Sequence, residues 1–185
     1  RIKTYPAVET TWATWKKMAP NTEVVSASTG FSRSYGSYPY GDYRTNHNSL
    51  IFPISNNDGR LPRKNRVLGL IKDDETTAYP LKSFSTTGSI VHDDFAGIPI
   101  VVAGSSSLNY AVAFDRRLGE KTLQFEAVSE KLPLLMTDNQ GNQWDVFGEA
   151  TSGPNKGEFL TPIEGYVAYW FAWATFWPAT DLASL

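Results

Sequence analysis

Two arginines and four tyrosines, Arg33, Tyr35, Tyr38, Tyr40, Tyr43 and Arg44, fall within the segment Phe31-Ser-Arg-Ser-Tyr-Gly-Ser-Tyr-Pro-Tyr-Gly-Asp-Tyr-Arg44. Rings at this density can stack on sugars or bases while guanidinium groups hold phosphate or carboxylate. These six residues form the candidate ligand-binding set. The competing reading, favoured on general loop grounds, is a loop stapled by its own tyrosines over a core edge.

Other polar clusters offer less. Arg60-Leu-Pro-Arg63-Lys64-Asn-Arg66 is rich in cations and could recruit an anion, nucleic acid or acidic lipid. The run is short and the chain is acidic, so a solvated turn before a strand is expected. His92-Asp93-Asp94 is the one place where an imidazole adjoins carboxylates, and His47 is the other histidine. Metal or acid–base chemistry needs groups that converge in space, so a plain β-turn is expected there. If the segment is extended, His92 and Asp93 point to opposite faces. Asp115-Arg116-Arg117 reads as a strand-end pair. Asp138-Asn-Gln-Gly-Asn142 has calcium-compatible oxygens but lacks the loop spacing and closing Glu of an EF-hand, so it reads as hairpin chemistry. Ser105-Ser106-Ser107 lacks the Gly-x-Ser-x-Gly context of a nucleophile elbow. No catalytic residue, metal ligand or cofactor is assigned, and the chain leans away from enzymatic activity.

Composition narrows the class. The 185 residues are 41% hydrophobic and 14% aromatic, enough for a sizeable core. A net charge of −2 and a pI near 5.7 give no global drive toward nucleic acid, which is not an expected partner. Cysteine is absent, which removes disulfides, thiol nucleophiles and thiolate metal sites. The chain begins at Arg1 without Met, which fits a processed or incompletely represented N-terminus as well as a cytoplasmic one. The longest apolar run, Tyr166 to Trp177, is shorter than the roughly twenty residues of a membrane span. Peripheral membrane contact stays open, and spanning is not expected.

The elements that must position these groups follow from spacing. Trp12-Ala-Thr-Trp-Lys-Lys-Met-Ala-Pro20 returns as Trp170-Phe-Ala-Trp-Ala-Thr-Phe-Trp-Pro178, with Trp, Trp and Pro in the same places 158 positions on. Thr22-Glu23 and Thr180-Asp181 extend the match, as expected of a duplicated unit. A first helix is predicted from a Thr10 or Thr11 cap to Ala19, and a short strand over Glu23 to Ser26. Residues 29–66 lack periodicity and read as a packed excursion with one strand at Leu50 to Ile54. Strands are predicted at Arg66–Ile71, Thr76–Leu81, Ser89–Val91, Ile98–Ala103, Tyr110–Phe114, Thr122–Val128, Leu132–Met136 and Gln143–Phe147. A closing helix over Tyr166–Trp177, apolar on nearly all sides, is expected to be enclosed centrally or against another chain. The fold class is α+β, mainly β: an antiparallel sheet, sandwich or partly closed barrel with two Trp-rich helices near the termini. Residues 1–27 read as the tail of a preceding unit, 28–65 as the excursion and 66–185 as a β-rich unit. Trp12, Trp15, Trp170, Trp173 and Trp177 are the candidate partner contacts.

Several motifs together resemble one bacterial family. They are Thr-Thr-Trp-Ala-Thr-Trp-Lys16, Thr29-Gly-Phe-Ser-Arg-Ser-Tyr-Gly-Ser-Tyr-Pro-Tyr40, Gly59-Arg-Leu-Pro, Arg66-Val-Leu-Gly69, Ala78-Tyr-Pro-Leu81, Val91-His-Asp93, Phe114-Asp-Arg116, Trp144-Asp-Val-Phe-Gly148 and Tyr169-Trp-Phe-Ala-Trp173. The family is domain-of-unknown-function family 3179, and the likeness is to the C-terminal portion of forms from Bacteroidetes and related envelope-rich bacteria. The resemblance implies an exported or lipoprotein-like protein, extracytoplasmic in the periplasm or at the outer-membrane surface, and usually longer, with an upstream half. It also implies a Cys-Pro-Leu-Cys-like motif in the first half. Counting back from Phe114-Asp-Arg116 places that motif's cysteines on Ser105 and Leu108, which cannot do thiol chemistry. The leading expectation is a non-enzymatic binding or assembly module of the cell envelope whose partner is another protein or the remainder of the same polypeptide. The alternatives are a redox or metal-dependent enzyme with its Cys-bearing site upstream, and a saccharide-binding module using Tyr35, Tyr38, Tyr40 and Tyr43.

Overall fold

The computed structural model describes residues 7–184, so the first six residues of the segment assigned to 1–27 lie outside the described residues. Helix α1 (Trp12–Met18) comes first, and after the excursion β1 (Arg66–Lys72) and β2 (Glu75–Pro80) form a hairpin. Next come β3 (Ser89–Phe95), β4 (Ile98–Ser105), β5 (Tyr110–Asp115) and the short pair β6 (Arg117–Leu118) and β7 (Lys121–Thr122). Then follow β8 (Phe125–Ala127), β9 (Leu134–Asp138), β10 (Gln143–Asp145) and β11 (Ala150–Ser152). Strand β12 (Gly165–Tyr169) runs directly into α2 (Trp170–Phe176), and β13 (Asp181–Leu182) follows.

The described strands stack as open sheets in the orders β12-β1-β2-β13, β3-β4-β5 and β11-β10-β9-β8, and none closes into a barrel. Alternation explains the layering, because successive strand residues point to opposite faces. On the middle sheet Ile100 and Val102 face the first sheet, packing with Leu68, Leu70 and Tyr79. Val101 and Ala103 face the other way, into a core with Phe125, Met136, Trp144 and Met18 of α1. On β1, Leu68 and Leu70 turn inward while Val67 joins Trp170, Trp173 and Ala174 of α2 on the outer face.

A glycine makes that last layer possible. A Cβ at Gly69 would lie 2.2 Å from the Trp173 ring, so the indole rests on bare backbone. Tyr166, opposite Gly69 in the β1–β12 ladder, packs its ring edge-on to the same indole at 5.1 Å. The excursion's end then wraps α2. The Trp170 indole N–H donates to the Asp58 carbonyl, and the Trp170 and Phe171 amides donate to the carbonyls of Asn65 and Arg63.

Several sequence expectations need correction. Strand β12 takes Tyr166–Tyr169, so the first third of the apolar run read as one helix is strand. Helix α2 is not enclosed on all sides, since Phe176 is 75% exposed. Glu23–Ser26 and Leu50–Ile54 form no strand: Val24 and Val25 stand exposed without a ladder partner, and Pro53 has no N–H to give one. His92-Asp93-Asp94 lies in β3 and not in a turn. The turn is Ala96-Gly97, both at positive φ, a conformation that suits two-residue hairpins and lets β3 run on to Phe95. The cation run is no solvated turn. Arg60 forks Asp58 and donates to the Thr180 carbonyl, Arg63 donates to Asn57, and Lys64 and Asn65 are buried.

Asp138 fixes the β9–β10 hairpin from inside. Its carboxylate accepts from the amides of Gln140 and Asn142, the Asn142 side chain and the Trp144 indole, at 2.7–3.0 Å. The oxygens that looked calcium-compatible are thus engaged, those of Asp138 by the hairpin's own donors, Asn139 Oδ1 by the Gln124 amide and Asn142 Oδ1 by the Asn155 amide. Burial alone raises a carboxyl pKa, but the donors from Asn142, Trp144 and Gln140 outweigh it and hold Asp138 below the usual range.

Two predictions follow from these contacts. Ala normally suits a strand interior better than Gly, yet Gly69→Ala should destabilise by about 1–3 kcal/mol in urea unfolding, because the ring must move. In a Trp173→Ala background, itself costing about 3–5 kcal/mol, the same change should become neutral or stabilising; an unchanged penalty would refute the ring-on-glycine contact. Because the folded pKa of Asp138 is depressed, its stabilisation is full above the unfolded value of about 3.9 and lost as pH falls through the folded one. The urea midpoint of native protein should therefore drop below about pH 4, and in Asp138→Asn that drop should be shallower; equal slopes would remove Asp138 from the account.

Candidate functional site

Among the described residues a large polar cleft forms where segments distant in sequence meet at one end of the first sheet. The β1–β12 ladder sets Arg66 opposite Tyr169, and the excursion brings Arg44 and His47 alongside. Glu9 to Trp12, ahead of and into α1, close another side, with Lys82 after β2 and Ser106 and Asn109 of the β4–β5 loop. The cleft encloses about 800 Å3, within the range of small-molecule sites.

Its walls are tied by specific bonds. Thr10 Oγ1 donates to the Leu108 carbonyl at 2.8 Å, holding the lead-in of α1 against the β4–β5 loop. Arg66 bridges the same two pieces by donating to Asn109 Oδ1 and to Glu9 Oε1. Lys64 is 5% exposed, stands over the Tyr43 ring at 3.2 Å and donates to the Tyr43 carbonyl. Burial lowers its pKa, and Asp42 pulls the other way. His47 Nδ1 accepts from the Lys64 amide, which fixes the tautomer at that nitrogen. Burial raises the Tyr169 phenol, while Arg66 and Arg44 oppose the shift.

The six residues of the candidate ligand set do not form one site. Arg44 reaches the cleft and stacks on Tyr38 at 3.8 Å, and Tyr38 meets Tyr40 edge-on at 5.6 Å. Tyr43 lies under Lys64. Tyr35 shares a hydrogen bond with Thr29, and Arg33 is exposed. The cleft's other members, Glu9, Lys82, Ser106, Asn109 and Tyr169, share no local spacing; the β1–β12 ladder and the side-chain bonds of Thr10 and Arg66 bring them together. Ser105 Oγ donates to the Thr86 carbonyl and accepts from the Leu108 amide, so it serves the loop's geometry. His92 Nε2 accepts from the Phe125 amide and Asp93 from the Tyr79 hydroxyl, on divergent bonds. Burial, then Arg116, lowers the His92 pKa.

The tryptophan candidates divide sharply. Trp170 and Trp173 are fully buried by their own chain, which removes them as partner contacts. Trp177 is half-buried against Trp173, and Trp15 meets Phe147 edge-on at 6.1 Å. Trp12 is 50% exposed.

The helices that carry them are nevertheless alike in detail. Both span seven residues, and the indole of the second Trp donates to a Thr hydroxyl seven positions on: Trp15 to Thr22 at 2.8 Å, Trp173 to Thr180 at 3.0 Å. The cap amides of Ala19 and Trp177 donate to the carbonyls of Trp15 and Trp173, both at 2.8 Å. What differs is the covered face. Helix α2 buries its Trp170/Trp173/Ala174 side on β1 and β2 and exposes Phe176. Helix α1 buries Thr14 and Met18, the latter in the place of Phe176, and leaves Trp12 and Lys16 outward.

No curated protein and no solved structure matches this chain. The model of the family described as "Protein of unknown function (DUF3179)" matches residues 1–180, nearly the whole length, and the chain therefore belongs to the DUF3179 family.

Proposed function

We propose that the chain is a non-enzymatic assembly module of the bacterial cell envelope, in which α1 is the joint to a further β unit. The observation that carries this reading is the pair of helices with the same internal hydrogen bonds and different buried residues, Thr14 and Met18 in α1 against Trp170, Trp173 and Ala174 in α2. The envelope location rests on the family resemblance.

The occupant of the α1 face is defined by what α2 already has. In the first sheet the order is β12-β1-β2-β13, so a hairpin fills the gap between the strand before α2 and the strand after it. Around α1 the corresponding stretches, residues 7–11 and 23–24, belong to no ladder, and Val24 is 66% exposed. A β-hairpin from another unit of the polypeptide fits that gap and would cover Trp12 and Trp15. It must present a residue without a side chain to Trp15, as Gly69 does to Trp173. It must also accommodate Lys16, which stands where α2 has the buried Ala174, and a carboxylate is the group suited to that place.

The test replaces residues 170–182 of the full chain by the sequence of residues 12–24, with a second version carrying Lys16→Ala in the transplanted segment. Oxidative footprinting read by mass spectrometry should find the transplanted indoles protected, at least tenfold below Trp12 in the native chain, in the Lys16→Ala version first of all. If both versions leave those indoles as reactive as Trp12, or lose the sheet altogether, α1 is not a helix of the hairpin-seated kind and the joint is wrong.

A further inference from the structure

The polar cleft collects charge that the chain as a whole does not favour. Its wall holds Arg44, Lys64, Arg66 and Lys82 against Glu9, in a protein of net charge −2. Asp42 acts on Lys64. Among the described residues Arg66 is paired with Glu9, while no carboxylate pairs with Arg44 or Lys82. Like charges gathered in a concave, partly desolvated place repel one another, and an anion drawn into such a place is held more strongly than at an open surface.

The cations are also held in position. Arg66 is anchored through Asn109 and Glu9, and Arg44 holds its guanidinium carbon over the Tyr38 ring, 3.8 Å from the centroid. A planar guanidinium fixed in this way presents its remaining donors in a fork that matches carboxylate and phosphate oxygens. Tyr169, Trp12, Ser106 and Asn109 supply ring faces and hydroxyl or amide groups around them. At about 800 Å3 the space exceeds what a lone inorganic anion needs.

We propose that this cleft binds a small organic anion, with its phosphate or carboxylate group among Arg44, Arg66 and Lys82 and its hydroxylated or ring-bearing part toward Tyr169 and Trp12. Glu9 to Trp12 border both this site and the proposed hairpin joint, so the test uses the chain by itself.

Calorimetric titration of the full chain at matched ionic strength should use glucose 6-phosphate, glucuronate and inorganic phosphate, with glucose as the neutral comparison. Saturable binding of glucose 6-phosphate or glucuronate, absent with glucose and weaker with inorganic phosphate, is expected. The arm that binds best identifies the oxyanion. Arg44→Ala combined with Lys82→Ala, both exposed positions, should weaken that binding at least tenfold while the thermal midpoint of free protein stays unchanged. Lys131→Ala combined with Lys156→Ala, which removes the same charge elsewhere, should leave binding intact. The inference falls if neither organic anion binds, or if the two double variants behave alike.

Discussion

The Trp173 indole lies on the bare backbone of Gly69, and the first sheet, α2 and the cleft beside them all depend on that contact. A side-chain-free position in mid-strand lets an aromatic ring approach the sheet at van der Waals distance, which no L residue with a Cβ would allow. With the ring seated there, α2 lies close enough for its first amides to reach the carbonyls of Arg63 and Asn65. Those bonds fix the start of β1. The start of β1 in turn sets Arg66 opposite Tyr169, and so places the floor of the cationic cleft.

The same contact gives meaning to its absence at the other helix. Helix α1 has the Trp, the Thr and the capping bonds of α2, but Trp15 is only half-buried, at the rim of the central core and edge-on to Phe147, with no strand glycine beneath its ring. Its stability in this chain comes instead from Thr14, which is buried, and Met18, which enters the central core. Each helix is thus satisfied on one face. In the assembly we propose, a linking helix has both faces covered, its Trp face by the hairpin of one unit and its Thr14/Met18 face by the core of the next. The exposed Phe176 of α2, in the place of Met18, fits the same arrangement.

Much of the architecture is legible in the residues because period and turn chemistry act locally. The strands β1 to β5 are anticipated by apolar and β-branched runs of strand length, and the α1 cap by Thr10 or Thr11 ahead of the Trp spacing. The errors have a common source. Tyr166–Tyr169 reads as helix because the run that follows it is helical, and only the β1 partner, nearly a hundred residues earlier, pulls it into a strand. Lys64 looks solvated in a run of cations, yet the excursion folds Tyr43 over it. The cleft is illegible for the same reason, since Glu9, Lys82, Asn109 and Tyr169 are far apart in sequence and meet only through the β1–β12 ladder and the side-chain bonds of Thr10 and Arg66. The tyrosine segment shows the converse, because its residues are adjacent in sequence yet divide: Tyr38, Tyr40 and Arg44 pack together, while Tyr35 turns to Thr29 and Tyr43 to Lys64.

The central claim is that α1 is a half-made joint, and a structure of a family member with a further β unit preceding the equivalent of α1 tests it most directly. The account predicts that the indole in the place of Trp15 rests on a residue without a side chain in a hairpin strand of that preceding unit, as Trp173 rests on Gly69, with the strand edges before and after the helix paired to that hairpin. A structure in which that Trp face stands open to solvent, or is covered by something other than a hairpin, would contradict it.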